Sequence, residues 1–284
     1  MENTLRKLQL TQLEMLKVVD AFCKENDIQY SLYAGTLLGA VRHQGFIPWD
    51  DDLDICMSRE NYNRFIELWT KDCPSGYIIQ NKENTPEFTQ SFTKIRKENT
   101  TFLQYEWERE KYHTGIFIDI FPIDRIPDKG LRLMMYKLHC MIYQLYTREF
   151  VPSKSNKVVQ LVSGILLKLN SHNSRMIKRQ KLLKKITVYN HNDSLKTVGI
   201  ETVGSLKKHF SKNMLGGYTY LKFEDGDFMC FADWDEHLKC KFNDYMQLPP
   251  ESEREWKHHP IILDFEQDLN EILIGRNLIH NADA

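Results

Sequence analysis

The feature that most constrains this chain is an acidic cluster that turns apolar at once. Asp50, Asp51, Asp52 and Asp54 fall within five positions, and Ile55-Cys56-Met57 continues the segment. Carboxylates this close repel one another. Chains carry such clusters when a cation sits among the oxygens, because hard divalent cations prefer carboxylate ligands. If Asp52–Met57 is a strand, its side chains alternate across the sheet. Asp52 and Asp54 then share one face, while Leu53 and Ile55 point into a core. Two carboxylates so spaced on a rigid strand can hold one or two Mg²⁺ (or Mn²⁺) ions for phosphoryl chemistry. An Asp-x-Asp by itself is too short to separate that reading from a solvated acidic turn, so what precedes it matters.

Upstream, Gln29–Ala34 reads as an aromatic-rich strand. Gly35-Thr36 breaks it, Thr36 caps a short helix through Val41, and Gly45 is its stop. A Gly-Thr turn entering a helix presents backbone N–H groups that suit a phosphate. The order is strand, turn, short helix, loop, then the strand bearing the acids. That is the nucleotidyltransferase layout, a phosphate cradle followed by metal carboxylates. The loop from Arg42 to Asp51 makes the spacing longer than in compact members.

The run Ala34-Gly-Thr-Leu-Leu-Gly-Ala-Val-Arg-His-Gln-Gly-Phe-Ile-Pro-Trp-Asp-Asp-Asp-Leu-Asp-Ile closely resembles the signature of the LicD family, bacterial phosphocholine transferases related to the fukutin-type sugar-phosphate transferases. Gly115-Ile-Phe-Ile-Asp-Ile-Phe-Pro-Ile-Asp124 and Asp244-Tyr-Met-Gln-Leu-Pro-Pro250 fit the same family. The resemblance reaches to about residue 260 and is weakest between about 130 and 200. Asn243 stands where the family usually has Gly, and Asn tolerates positive φ nearly as well. Arg254, His258 and His259 match basic positions of the family's C-terminal block. The resemblance implies an α/β (α+β) fold, a nucleotidyltransferase-like mixed sheet flanked by helices.

Gly115–Pro122 is an apolar run interrupted by one acid, as in a buried central strand. A lone Asp there is costly unless paired or metal-bound, so Asp119 is the candidate third metal carboxylate or acceptor base. Asp124, after Pro122, reads as a turn residue and a weaker candidate. Phe92-Thr-Lys94-Ile-Arg96 alternates as a half-exposed strand does, with Lys94 and Arg96 on one face. They would either neutralise a diphosphate or decorate a sheet edge. Arg59, following the N-cap Ser58, reads as a surface ion pair or a phosphate contact.

Composition divides the chain. Residues 1–130 form the expected catalytic core and 201–284 complete it. Residues 131–200 are a basic helical insertion: between 131 and 190, twelve Lys and Arg face the single acid Glu149, a formal charge of +11. Two or three amphipathic helices, broken near Val151-Pro152 and Ser171–Ser174, either cover the sheet or meet an anionic membrane or glycan. No recognised nucleic-acid motif accompanies them. No apolar run reaches spanning length, the first residues lack an apolar signal region, and six scattered cysteines without Cys-x-x-Cys suit a reducing compartment. The expected location is the cytoplasm, peripherally at the inner face of the cell membrane. Zinc through His237, Cys240 and His258 lacks diagnostic spacing.

The resemblance implies metal-dependent transfer of phosphocholine or a similar alcohol phosphate from a CDP-linked donor to a glycan or lipid-linked glycan. In it Asp52, Asp54 and Asp119 hold the metal, Gly35 and Thr36 touch phosphate, and Arg42, Lys94 or Arg96 offsets charge on the leaving CMP. Asp124, Asp244, Tyr245, Arg254, His258 and His259 complete the substrate candidates. Trp49, Tyr105, Trp107 and Tyr245 are available for a trimethylammonium cage. Nucleotidyl transfer, Asp-x-Asp glycosyl transfer and a non-catalytic glycan- or membrane-binding scaffold are the alternatives.

Overall fold

The computed structural model describes residues 2–104, 112–201, 206 and 208–276; Tyr105 and Trp107 lie outside them. The first helix, α1 (Glu2–Glu25), buries Leu5, Leu8, Met15, Leu16, Val19 and Cys23 at helical spacing. Two buried amides on that face hold the backbone of the acidic loop. Gln9 donates to the Asp50 carbonyl at 2.9 Å and Gln12 to the Asp51 carbonyl at 3.1 Å.

The strands β1 (Ser31–Leu32), β2 (Asp54–Ser58), β3 (Tyr77–Gln80), β4 (Thr93–Lys97) and β6 (Phe117–Ile126) form a mixed sheet in the order β1-β2-β6-β4-β3. β6 is its spine, and eight of its first nine residues are buried. One edge of β6 pairs parallel with β2. The other edge is shared: Phe117–Ile120 pairs with β4 and Ile123–Ile126 with β7 (Thr197–Ile200), both antiparallel. Pro122, which has no N–H to give, falls between the two ladders, and its carbonyl accepts from the Glu201 N–H at 2.9 Å. β7 also pairs with β8 (Phe210–Ser211). A second small sheet pairs β5 (Thr101–Leu103) with β11 (Ile262–Asp264). β9 (Tyr218–Phe223) and β10 (Gly226–Phe231) make an antiparallel hairpin about Glu224-Asp225.

Three expectations change. The first strand is only two residues long, because α2 (Ala34–His43) begins where the strand was to end, and Thr36 lies inside that helix rather than at its cap. Arg96 does not sit on an exposed edge: it is buried, with β3 outside it. Asp124 is a strand residue in β6, not a turn residue.

Asp124 is 2% exposed and is held by Arg59 at the start of α3 (Arg59–Lys71), through Nε at 2.8 Å and Nη2 at 2.6 Å, and by Asn190 Nδ2 at 2.8 Å. This fork ties α3, β6 and the end of the basic stretch together.

The basic stretch folds as α4 (Gly130–Arg148), α5 (Lys157–Lys168) and α6 (His172–Thr187). Asn156 and Ser171 cap the latter two through their side chains. α4 and α6 share a small core of Tyr136, Cys140, Tyr143 and Ile186 against Ile126 of β6. The chain then returns through β7–β10 to α7 (Trp234–Phe242) and finally α8 (Leu269–Gly275). No helix of the described residues is long and apolar enough to cross a membrane.

Removing one partner of a buried ion pair leaves the other uncompensated. Asp124→Ala should therefore lose about 3–5 kcal/mol of stability in urea unfolding. Any activity of the fraction that stays folded should be unchanged.

Candidate active site

The acids meet through local constraints on either side of them. β2 begins at Asp54, so Asp52 is placed by the preceding loop rather than by strand alternation. The β2–β6 register sets Asp54 beside Asp119, and the Asp119 N–H donates to the Leu53 carbonyl at 2.9 Å. The Thr36 hydroxyl accepts from the Asp54 N–H at 2.8 Å, tying the start of β2 to α2. Gly35, in the first turn of α2, leaves room for Asp50: a Cβ there would come within 2.3 Å of Asp50 Oδ2. Carboxylate oxygens of Asp50, Asp51 and Asp52 lie within 4.8 Å of one another.

These acids are not equivalent. Burial and then the charge of Asp52 push Asp50 up to about 7. Asp54 is raised well above the usual carboxylate range by burial and by Asp52, Asp119 and Asp50. Burial also raises Asp119, against the pull of Lys94, whose Nζ lies 2.5 Å from Asp119 Oδ1 and over the Phe117 ring. Lys94 is itself lowered by burial. Asp51 is fully buried but accepts from the His258 N–H at 2.9 Å and pairs with His258 Nδ1 at 3.0 Å. Those bonds outweigh burial and hold Asp51 below its ordinary value, while His258 is raised. Nε2 of the same ring lies 3.9 Å from Asp52 Oδ2.

Asp52 and Asp54 open onto a cleft of about 640 Å³ lined also by Gly35, Arg42, Trp49, Lys241, Asp244, Tyr245 and Lys257. The largely exposed Lys257 has its Nζ 3.6 Å from Asp50 Oδ1, and against partial desolvation in the cleft the acids raise it. Burial lowers Lys241, which donates to the Tyr33 hydroxyl at 2.7 Å and lies in the field of Asp54. Arg42 donates to the Tyr245 carbonyl at 2.9 Å and Arg254 to the Pro249 carbonyl at 2.9 Å. Burial and then the charge of nearby Arg254 lower Arg42; only Arg42 of the two lines the cleft. Arg254 also covers the Trp49 ring, 5.5 Å from its centroid.

Other candidates stand apart from the cleft. Arg96 spends its N–H groups on Gln80 Oε1 at 2.6 Å and the Gly115 carbonyl at 2.7 Å. Asp119 is beside the acids but does not line the cleft. His259 is exposed, with φ of +39°. Asp124 belongs to the buried fork with Arg59. Asn243 adopts φ of +60°, keeping the turn despite its departure from Gly. His237 is buried against Phe210 and pushed by burial down to about 3, and the one His/Cys/Asp/Glu cluster among the described residues that could hold an ion is Asp50, Asp51 and Asp52.

Sequence reasoning did not assign Asp50, Asp51, Lys241 or Lys257. The four-acid run was the signal for the first two. The lysines carried none, because only folding brings α7 and the segment after Pro250 to the acids. The donor set fits a divalent cation: it is all carboxylate oxygen, and Asp50 within it, like the adjacent Asp54 and Asp119, is raised by burial and then by repulsion from neighbouring acids that a dication would relieve.

Asp52 is the repelling charge common to Asp50, Asp54 and Asp119. In metal-free buffer Asp52→Asn should stabilise the protein by about 1 kcal/mol. A carboxyl raised in the folded state costs stability as pH rises from the ordinary carboxylate range toward about 7. The gain in Tm over wild type should therefore be small near pH 4 and full near pH 7, read by thermal unfolding across that window.

Residues 27–155 match the family described as LicD/FKTN/FKRP, nucleotidyltransferase domain. Over 264 residues, 90% of this chain and 96% of the relative, the sequence is 31% identical to the lipopolysaccharide cholinephosphotransferase LicD of Haemophilus influenzae. An uncharacterised protein of Rickettsia prowazekii is 26% identical over 184 residues, 57% of this chain and 69% of that protein. One of Rickettsia typhi is 39% identical over 77 residues, 27% of this chain and 25% of that protein. The matched region contains α2, the acidic loop, β2 and β6, and the first likeness runs nearly end to end in both proteins: the chain belongs to the LicD family of transferases.

Proposed function

We propose that this protein transfers phosphocholine, or a closely similar alcohol phosphate, from a CDP-linked donor to a hydroxyl of a lipid-linked cell-surface glycan. The observation that carries the reading is the 640 Å³ cleft, in which Asp52 and Asp54 meet the cations Arg42, Lys241 and Lys257 in a chain of this family. The likeness to a lipopolysaccharide cholinephosphotransferase supports choline as the alcohol and a lipopolysaccharide-type acceptor.

In the transfer, the acceptor oxygen forms a bond to the phosphorus bearing the alcohol. The bond from that phosphorus to the bridging oxygen breaks, and CMP leaves with the electron pair. Such reactions depend on positioning and charge neutralisation more than on covalent help. Asp52 and Asp54, with Asp50 and Asp119 adjacent, would hold Mg²⁺ or Mn²⁺, which supplies positive charge to the diphosphate oxygens when bound. Lys241 and Lys257 balance the cluster from the cleft side, and Arg42 and Arg254 hold the nucleotide phosphate. The α2 first turn adds N–H groups without intrahelical acceptors. Asp54, raised by burial and its neighbours and facing the cleft, receives the acceptor proton, with Asp119 behind it completing the acidic cluster. Lys94 keeps Asp119 in place. Trp49 and Tyr245 offer aromatic surface for the trimethylammonium group.

Incubation with Mg²⁺ and a panel of CDP-alcohols, followed by CMP release and product mass, tests the reading. The expected product gains an alcohol phosphate. A gain of a nucleoside monophosphate or of a sugar would replace it with nucleotidyl or glycosyl transfer. Asp52→Ala and Asp54→Ala should each cut transfer by at least about a thousandfold while the fold persists. Wild-type rates in either variant would remove that residue from the mechanism.

A further inference from the structure

The helical stretch 131–190 turns part of its apolar surface outward. Along α4, Leu131, Met134, Met135, Leu138 and Met141 recur at three- and four-residue intervals, and all are between 39% and 68% exposed. The opposite face of α4 is the one buried against α6. α4 therefore has two apolar faces and an internal partner for one. α5 is turned further. Val158, Leu161, Val162 and Ile165 are exposed, with Val158 at 70%, and Leu169 just past its end at 77%. Its one buried residue is the polar Ser163. Between the two helices lies an apolar cavity of about 410 Å³, walled by Met141, Leu145, Phe150, Val159 and Val162, with Arg148 in its lining.

An exposed apolar surface on this scale marks an interaction face. Its surroundings select the partner. Exposed Lys154, Lys157 and Lys168 bracket α5, and Glu149, the stretch's lone acid, is committed to Lys82, His172 and Arg175. A second copy would bring the same positive charge to the contact, whereas an anionic bilayer brings the opposite charge and a place for the apolar side chains. We propose that the α4–α5 face docks on an anionic lipid bilayer, with a lipid acyl chain entering the cavity between the helices. α4 packs against Ile126 of β6, the strand that carries Asp119, and half-buried Glu201, which accepts from Ser91 Oγ at 3.4 Å, is acted on by the charges of both Arg148 in the cavity wall and Asp119. An amphiphilic acceptor anchored in the same bilayer would thus present its glycan near the cleft. That last step rests on the proposed transfer; the docking does not.

The test is flotation of the full chain with vesicles, without donor or acceptor. Vesicles of phosphatidylcholine with phosphatidylglycerol should bind it at least about tenfold better than phosphatidylcholine alone, and added salt should weaken binding. Val158→Glu with Leu161→Glu changes two exposed side chains, so circular dichroism and Tm should stay put while vesicle binding is lost and CMP release from a water-soluble acceptor is unchanged. The proposal is overturned if the wild type stays unbound with both vesicle types, or if the double variant binds as well as wild type. A wild-type dimer that the double variant dissolves would also overturn it, because the face would then belong to a second copy. Absence of CMP release with every CDP-alcohol would sink the transfer reading and leave the vesicle result standing.

Discussion

Repulsion among Asp50, Asp52, Asp54 and Asp119 is the constraint around which the rest of the molecule is arranged. A solvated chain would spread these groups apart. Here the backbone is fixed before the side chains can relax. Gln9 and Gln12 hold the carbonyls of Asp50 and Asp51 from α1, Thr36 holds the Asp54 N–H from α2, and the β2–β6 register leaves Asp54 and Asp119 as neighbours. Each anchor is a buried polar group whose partner is backbone, so displacing the loop would leave donors and acceptors unmatched. The stability of the surrounding core thus maintains a local arrangement that is unfavourable on its own.

Compensation comes from one cation or one set of N–H groups at a time. Lys94 serves Asp119, His258 serves Asp51, and Lys257 stands beside Asp50. Asp52 and Asp54 are the two that face the open cleft. Lys241 and Lys257 enter from the C-terminal third, and Arg42 lines the wall with the Tyr245 carbonyl as its partner, while Arg254, held by the Pro249 carbonyl, covers Trp49. A cleft with acids at one place and cations around them suits a ligand carrying both a diphosphate and its counter-ion, which is the chemistry the family likeness also suggests.

The cations of the basic stretch fall into two sets that its composition merges. Arg175, Lys178 and Arg179 are spent inside the fold, on Glu149, Asn170 and Glu83. The lysines bracketing α5 are not. Net charge alone could not divide them, because the division depends on which helix face meets α4 and which meets solvent.

Much of the catalytic half is legible in local pattern. The four-acid run, the Gly-Thr entry, the apolar strand around Asp119 and the breaks between α4, α5 and α6 all follow from spacing, turn chemistry and capping within a few residues. Family membership followed from the ordered run Ala34–Ile55. Local pattern could not tell that Lys94 faces Asp119 while Arg96 turns to Gln80 and Gly115, although both lie on one face of β4. Nor could it tell that Asp124 meets Arg59, that Asp51 is bound by His258, or that Lys241 and Lys257 come to the acids. Those partners are separated by tens to hundreds of positions. Only tertiary structure chooses among them, because a buried charge takes whichever opposite charge the packing of distant elements brings within reach.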